Sequence, residues 1–192
     1  MSKYHNDNSH ASDPGQFALA PHRFRRLEPA ARGLTGWLWR QFWDGRSFEE
    51  LLDEHLNLGD TRAAMVVATQ PLVVAAYTDE LDCVALLGFP EWLVGEFALR
   101  PGTRLLTVNT YETGDQVMSD LVPGPEDTQN YVNFFPVIAD FFSDDQDRIV
   151  PRKAQIDERE WRRCQAMASE ALERCQGRWR NGSPLYSFRP AT

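Results

Sequence analysis

Residues 63–89 read AAMVVATQPLVVAAYTDELDCVALLGF and contain three nearly uninterrupted apolar runs that are rich in valine. Short runs of this kind are typical of β-strands that are covered on both faces. The polar residues 78–81, between the second and third runs, have the length of a hairpin connection. A further strand is expected over residues 104–110, after the turn signal Pro101-Gly102. The sequence therefore predicts a mainly antiparallel sheet over about residues 62–110.

Two amphipathic helices are predicted outside this sheet. The first covers residues 48–57 and begins with a capping box, in which Ser47 is followed three positions later by Glu50. The second begins after Asp157, its expected N-cap, and carries one apolar stripe with charged residues on its other side. A short N-terminal helix and a long C-terminal helix packed on an antiparallel sheet define an α+β fold.

The length and composition of the chain fit one globular domain. The sequence has 192 residues, of which 42% are hydrophobic and 25% are charged. We place the domain at residues 21–192 and expect residues 1–20 to be a mobile tail, because they contain no apolar segment. No apolar stretch reaches the roughly 20 residues that span a bilayer, so no membrane association is predicted. The three cysteines form no CxxC pair, which indicates a reducing, cytoplasmic location.

The net charge of -8 is distributed unevenly. Residues 47–147 contain nineteen Asp and Glu residues but only three Arg and no Lys, whereas residues 21–46 and 148–192 carry an excess of bases. The basic flanks can pack over the acidic centre within one molecule, or part of the acidic surface stays open and binds a basic partner protein. The same acidic charge predicts that this centre does not bind nucleic acid directly, because phosphate would be repelled.

The acids are densest around residues 141–148, which read FFSDDQDR. Pro136 is expected to begin a helical turn, since proline suits the first helical position. If one helix ran unbroken through residues 137–148, three carboxylates would lie on one face at positions i, i+4 and i+7. Carboxylate oxygens are the ligands that Mg²⁺ and Ca²⁺ prefer. The candidate metal ligands are Asp140, Asp144 and Asp147.

Two other interpretations of the same segment stay open. In the first, Ser143 caps a helix, Gln146 completes a capping box, and the acids lie near the positive end of the helix dipole. In the second, the two phenylalanines form the apolar core of a protein interface and the acids form its charged rim. For that interface the candidate partner-binding residues are Asp140, Phe141, Phe142, Asp144, Asp145 and Asp147.

A tryptophan-rich segment precedes the first amphipathic helix. Residues 36–43 read GWLWRQFW, and their periodicity does not decide between helix and strand. The three tryptophans cannot easily face one core if the segment is helical, and tryptophan is enriched at interaction hot spots. Trp39 and Trp43 therefore join the candidate partner-binding residues.

The sequence contains no motif that specifies a reaction. It lacks GxGxxG, P-loop, GxSxG and HExxH patterns. We therefore predict a non-catalytic cytoplasmic module, without a cofactor, that binds a basic protein through an acidic surface as an inhibitor, immunity-like protein or adaptor. One alternative is a small hydrolase or phosphotransfer enzyme, assisted by Mg²⁺ or Ca²⁺, that uses the candidate metal ligands together with Asp79 or Asp82. A second alternative is a structural subunit of a larger assembly, including a homo-oligomer.

Overall fold

The computed structural model describes residues 11–28, 47–175 and 177–184. The tryptophan-rich segment, with Trp39 and Trp43, lies outside the described residues. The helices are α1 (Pro21–Leu27), α2 (Phe48–Leu58), α3 (Trp92–Glu96), α4 (Ala139–Phe142), α5 (Gln146–Gln155) and α6 (Glu158–Cys175). The strands are β1 (Asp60–Thr69), β2 (Leu72–Thr78), β3 (Cys83–Phe89), β4 (Arg104–Glu112), β5 (Asn133–Ile138) and β6 (Arg180–Asn181).

The strands form one six-stranded sheet in the order β5-β4-β1-β2-β3-β6. All neighbouring pairs are antiparallel except β3 and β6, which pair in parallel through Leu87 and Gly88. The predicted α+β fold with a mainly antiparallel sheet is therefore confirmed. The sheet extends beyond residues 62–110, because β5 and β6 are added at its two edges.

Both faces of the central strands are covered, as their apolar runs predict. On β1 and β2, alternate residues such as Ala64 and Val74 belong to a large hydrophobic cluster, whereas Ala63 and Val73 belong to a smaller one. The helix α6 covers the smaller cluster with its predicted apolar stripe, represented by Trp161, Cys164 and Ala168. The helix α2 contributes Leu52 and Leu56 to the large cluster.

The sheet curls strongly, so that strands that are not neighbours contact each other. Asn109 on β4 donates its side-chain N–H to the Tyr77 carbonyl on β2 at 2.8 Å, across the intervening strand β1. Arg180 on β6 donates to the Phe134 carbonyl at 2.9 Å and to the Asn133 side-chain oxygen at 3.0 Å, and both residues belong to β5. One buried arginine therefore joins the first and the last strand of the sheet.

The prediction that Pro136 begins a helical turn is wrong. Pro136 lies within β5, opposite Asn109 on β4. Proline has no N–H to donate, and an edge strand such as β5 can accept it because one of its sides has no strand partner. The helical conformation begins only at Ala139.

The ends of the two amphipathic helices follow the predicted chemistry. Ser47 and Glu50 form the reciprocal capping box of α2, with the Glu50 carboxylate accepting from the Ser47 N–H at 2.7 Å. Asp157 directly precedes α6, and its carboxylate accepts from the Arg159 N–H at 2.6 Å. The Glu160 carboxylate, in the first turn of α6, accepts from the Ala63 N–H on β1 at 2.7 Å and fixes the start of the helix to the sheet.

Part of the predicted mobile tail is packed on the domain. Phe17 is only 1% exposed and belongs to the large hydrophobic cluster. The backbone N–H groups of Gly15 and Gln16 donate to carbonyls at the end of α2, at 3.0 Å and 2.9 Å. Residues 11–20 are therefore part of the folded domain, because Phe17 supplies a large apolar side chain to the core. Residues 1–10 lie outside the described residues.

Within the described ranges, the structure has no helix that is both long enough and apolar enough to cross a membrane.

Candidate functional site

The FFSDDQDR segment does not form one helix. The helix α4 ends at Phe142, and α5 begins only at Gln146. Phe141 and Phe142 are 1% and 0% exposed, and the Phe141 ring packs against the Phe89 ring at a centroid distance of 5.0 Å. These two predicted interface residues belong to the core, so they do not form an exposed binding surface.

Asp140 is a buried structural carboxylate. The Lys153 ammonium on α5 donates to its Oδ1 at 2.6 Å, and the Leu106 N–H on β4 donates to its Oδ2 at 2.8 Å. Both oxygens are engaged by groups of the same chain, and the carboxylate joins α4, α5 and β4.

Asp144 is covered by a base from the N-terminal flank. Its Oδ1 lies 2.5 Å from the Arg23 Nε, and its Oδ2 lies 3.6 Å from the His22 Nε2. Arg23 also donates to the carbonyls of Asp140 and Ser143 at 2.7 Å and 2.9 Å. The Asp144 side chain stays 52% exposed, so this ion pair is screened by water.

Asp145, rather than Ser143, caps the helix α5. The Asp145 carboxylate accepts from the Arg148 N–H in the first turn of α5 at 3.2 Å. The Ser143 hydroxyl accepts from the Asp145 N–H, which lies before the helix begins. The predicted cap at Ser143 is therefore wrong by two residues, because the chain bends between α4 and α5. Asp147 follows in the first turn of α5 and is exposed.

Two of the three candidate metal ligands are bound to different bases, and the third, Asp147, is exposed. Asp140 pairs with Lys153 and Asp144 pairs with Arg23. In the part of the chain that the structure describes, no three His, Cys, Asp or Glu side chains are grouped so that they could hold a metal ion. The Mg²⁺ or Ca²⁺ hypothesis for Asp140, Asp144 and Asp147 therefore gains no support from the geometry.

A second acidic region lies at the turn between β2 and β3, where the loop that joins β4 to β5 folds over it. The Gly124 N–H donates to the Leu81 carbonyl at 3.2 Å, and the Thr128 N–H donates to the Glu80 carbonyl at 2.9 Å. The Thr128 hydroxyl also donates to the Glu80 carboxylate at 2.9 Å. We define the acidic surface as the carboxylates that this packing brings together, namely Asp79, Glu80, Glu126 and Asp127.

Asp82 is the buried residue that holds this loop in place. Its side chain is 0% exposed. The carboxylate accepts two hydrogen bonds from the Arg163 guanidinium, at 3.0 Å and 2.5 Å, and one from the Glu126 N–H at 3.0 Å. Burial alone would raise the pKa of Asp82, but the bonds from Arg163 and Glu126 hold that pKa below its ordinary value. A side chain at Gly124 would collide with Asp82, since a Cβ atom there would lie 2.2 Å from the carboxylate.

A buried arginine lies beneath one edge of the acidic surface. The Arg62 side chain is 7% exposed and donates to both oxygens of Asp79, at 2.7 Å and 2.6 Å. It also contacts the Asp60 carboxylate at 2.6 Å. Burial outweighs the attraction of Arg62 and raises the pKa of Asp60 to about 6. Asp79 stays 47% exposed although Arg62 binds it, and Glu126 is exposed, whereas Glu80 and Asp127 are partly exposed. Glu80, Glu126 and Asp127 form no ion pair with another of the described residues.

The raised pKa of Asp60 predicts a pH-dependent stability. The folded state binds this proton more tightly than the unfolded chain, whose Asp has the ordinary pKa of 3.8. The associated stability is therefore fully present below pH 3.8 and is lost as the pH rises through about 6. We expect Asp60→Asn to remove this loss, so that the wild-type free energy of unfolding falls by about 3 kcal/mol relative to the variant over that range. Urea denaturation as a function of pH measures the difference.

The control for this prediction is Asp147→Asn, which changes the same group at an exposed site. This variant keeps Asp60, so it should retain the fall in the free energy of unfolding as the pH rises through about 6. A pH-independent difference between wild type and Asp60→Asn would contradict a raised pKa at Asp60.

A cleft of about 400 Å³ lies beside Asp140, and no sequence pattern predicts it. Its lining includes three bases from distant parts of the chain, Arg23, Arg104 and Lys153. The apolar part of its wall comes from Phe97 and Leu99, which follow α3, and from Leu105 on β4. No local motif links these residues, because only the tertiary fold brings α1, β4 and α5 together.

Comparisons with protein-family models, with curated proteins and with solved structures find no match for this chain.

Proposed function

We propose that this protein is a non-catalytic binding module whose acidic surface binds a basic region of a partner protein, in an inhibitor, immunity-like or adaptor role. One observation carries the proposal. Asp82 fixes the β4–β5 loop on the β2–β3 turn through Glu126, so that carboxylates from two distant segments lie together on an ordered surface. A surface that is ordered before binding loses little conformational entropy when a partner docks.

The charge around this surface supports a basic partner. Residues 105–147 contain no Lys or Arg, so the loop brings no base of its own. Two bases that contact this region, Arg62 and Arg163, are already bound to Asp79 and Asp82. Complementary charge of this kind accelerates encounter and disfavours acidic partners.

An apolar contact is available within the same loop. Val122 is 52% exposed, and the exposed Pro125 lies next to Glu126. Protein interfaces commonly combine a small apolar centre with a charged rim, whereas isolated charged patches contribute little affinity. The combination favours a protein surface over a small cation as the ligand.

The acidic surface lies outside the FFSDDQDR segment, where the sequence placed the candidate partner-binding acids. There the flanking bases Arg23 and Lys153 already neutralise Asp144 and Asp140.

We include a cytoplasmic location in the proposal. The free thiols of Cys83, Cys164 and Cys175 support it, because disulfides are rare in reducing compartments.

We expect that neutralising the acidic surface abolishes capture of the partner. The test compares affinity capture from the source organism, at low ionic strength, by the wild-type protein and by the triple variant E80Q/E126Q/D127N. Quantitative mass spectrometry should reveal a basic protein that the wild type enriches and the triple variant loses by about tenfold or more.

The matched control is the variant E170Q/E173Q, which neutralises exposed acids on the C-terminal half of α6. Capture should be unchanged in this control. If every protein enriched by the wild type is recovered equally by the triple variant, the acidic surface is not the binding site. Circular dichroism of all three proteins verifies that they are folded.

A further inference from the structure

Two of the three bases that line the cleft beside Asp140 form ion pairs with exposed carboxylates, and Arg23 also donates to the backbone carbonyls of Asp140 and Ser143. Arg23 and Arg104 pair with Asp144 and Glu158, which do not line the cleft. The side chains of these two acids are 52% and 61% exposed. Ion pairs to such exposed carboxylates contribute little free energy, so an anion inside the cleft competes with them at low cost.

Lys153 has further hydrogen-bond capacity. One N–H of its ammonium is donated to Asp140, and an ammonium carries three. The side chain is 21% exposed, so a ligand bound here would be partly shielded from water. Charge-assisted hydrogen bonds to a carboxylate or phosphate are among the stronger polar contacts in proteins.

The two acids that line the cleft are already compensated. Asp140 is paired with Lys153, and Glu96 is paired with Arg26, which lies outside the cleft. The lining contains three bases and two acids, an excess of one positive charge, in a protein whose net charge is -8. The lining is therefore slightly basic, opposite in sign to the overall charge.

The apolar part of the lining restricts the ligand further. Phe97, Leu99 and Leu105 contribute side chains to the cleft, and the Arg23 guanidinium lies 5.2 Å from the centre of the Phe97 ring. An apolar body can pack on these residues while an anionic head group reaches the bases. A cleft of about 400 Å³ has the volume for a small organic molecule rather than a macromolecule.

We propose that this cleft binds a small organic anion. A carboxylate or phosphate ester head group contacts Lys153, Arg23 and Arg104, and a compact apolar body packs on Phe97 and Leu99. The cleft shares no residue with the acidic surface, so this binding site is independent of the proposed protein-binding function.

Calorimetric titration of the full-length protein tests the proposal with three probes of similar size. Phenyl phosphate and benzoate carry the two candidate head groups on the same aromatic body, and benzyl alcohol is the uncharged comparison. We expect saturable binding of at least one anion, and at least tenfold weaker binding of the alcohol. The preferred anion identifies the head group. If neither anion binds at concentrations up to about 10 mM, or the alcohol binds equally well, the proposal is wrong.

Variants assign the binding to the cleft. Arg104→Gln should weaken binding of the preferred anion by about tenfold, since it removes a charge-assisted contact, and its partner Glu158 is exposed enough for the fold to tolerate the change. Arg100→Gln is the matched control, because Arg100 is exposed and near in sequence but does not line the cleft. Lys153→Gln gives a second measurement, with Arg152→Gln as its neighbour control. Equal losses in the cleft variants and in their controls would overturn the assignment.

Discussion

Arg180→Ala lowers the free energy of unfolding by about 3 kcal/mol, because it removes a buried cation that joins opposite edges of the sheet. Arg180 is 8% exposed and binds both oxygens of Asp120 at 2.5 Å and 3.0 Å. It also donates to the Phe134 carbonyl and to the Asn133 side chain on β5. The variant leaves these acceptors without their donor and separates β6 from β5. Urea denaturation followed by circular dichroism measures the loss.

The control for this prediction is Arg178→Ala, two residues earlier on the same segment. Arg178 is exposed, so its loss should change the free energy of unfolding by less than about 0.5 kcal/mol. Equal stabilities of Arg180→Ala and Arg178→Ala would contradict the closure of the sheet by Arg180.

Asp82→Ala lowers the free energy of unfolding by about 2–3 kcal/mol and releases the loop that carries the acidic surface. The variant leaves the Arg163 guanidinium and the Glu126 N–H without their acceptor. Hydrogen exchange should therefore become faster at Gly124 and Glu126, while the amides of β1 keep their relative protection. The pKa of Asp82 in the folded protein lies below its ordinary value of 3.8. The loss of stability caused by Asp82→Ala is therefore fully present above pH 3.8, and it disappears as the pH falls through the pKa of the folded protein.

Asp127→Asn serves as the control for Asp82→Ala. It changes the charge within the same loop, and the bond that its carboxylate accepts comes from the nearby Gln129 N–H. We expect a stability change below about 0.5 kcal/mol and unchanged exchange at Glu126. Slow exchange at Glu126 in Asp82→Ala would mean that Asp82 does not hold the loop.

Local sequence patterns were sufficient to predict the central strands and both amphipathic helices. The valine-rich runs of β1, β2 and β3 predict strands because each is short, apolar and bounded by turn residues. The capping box at Ser47 predicts the start of α2 because both of its bonds form within four residues. In each case the residues that determine the structure are neighbours in the sequence.

The features that the sequence did not predict depend on partners far apart in the chain. Asp82 and Arg163 are 81 residues apart, and Arg180 reaches Asp120 over 60 residues. Pro136 has a local preference for a helix start, but its apolar neighbours pair with β4 and form a strand. The FFSDDQDR segment resembled a ligand group because a sequence does not reveal that Arg23 and Lys153 lie against its acids.

The charge segregation of the sequence is largely resolved inside the molecule. Bases of both flanks pair with acids of the centre, as in the pairs of Arg23 with Asp144 and Arg163 with Asp82. This intramolecular pairing was one of the two outcomes that the sequence left open. The pairing narrows the proposed binding region to the acidic surface, where Glu80, Glu126 and Asp127 form no ion pair with another of the described residues.

The salt dependence of the complex with the captured basic protein tests the central claim most directly. Dissociation constants of the wild type and of E80Q/E126Q/D127N are measured by calorimetry over a range of ionic strength. We expect the wild-type dissociation constant to rise steeply with salt, because screening weakens the attraction between the acidic surface and its partner. The triple variant should bind more weakly and depend less on salt. A wild-type affinity that is insensitive to salt, or equal salt dependence in the two proteins, would contradict binding through the acidic surface.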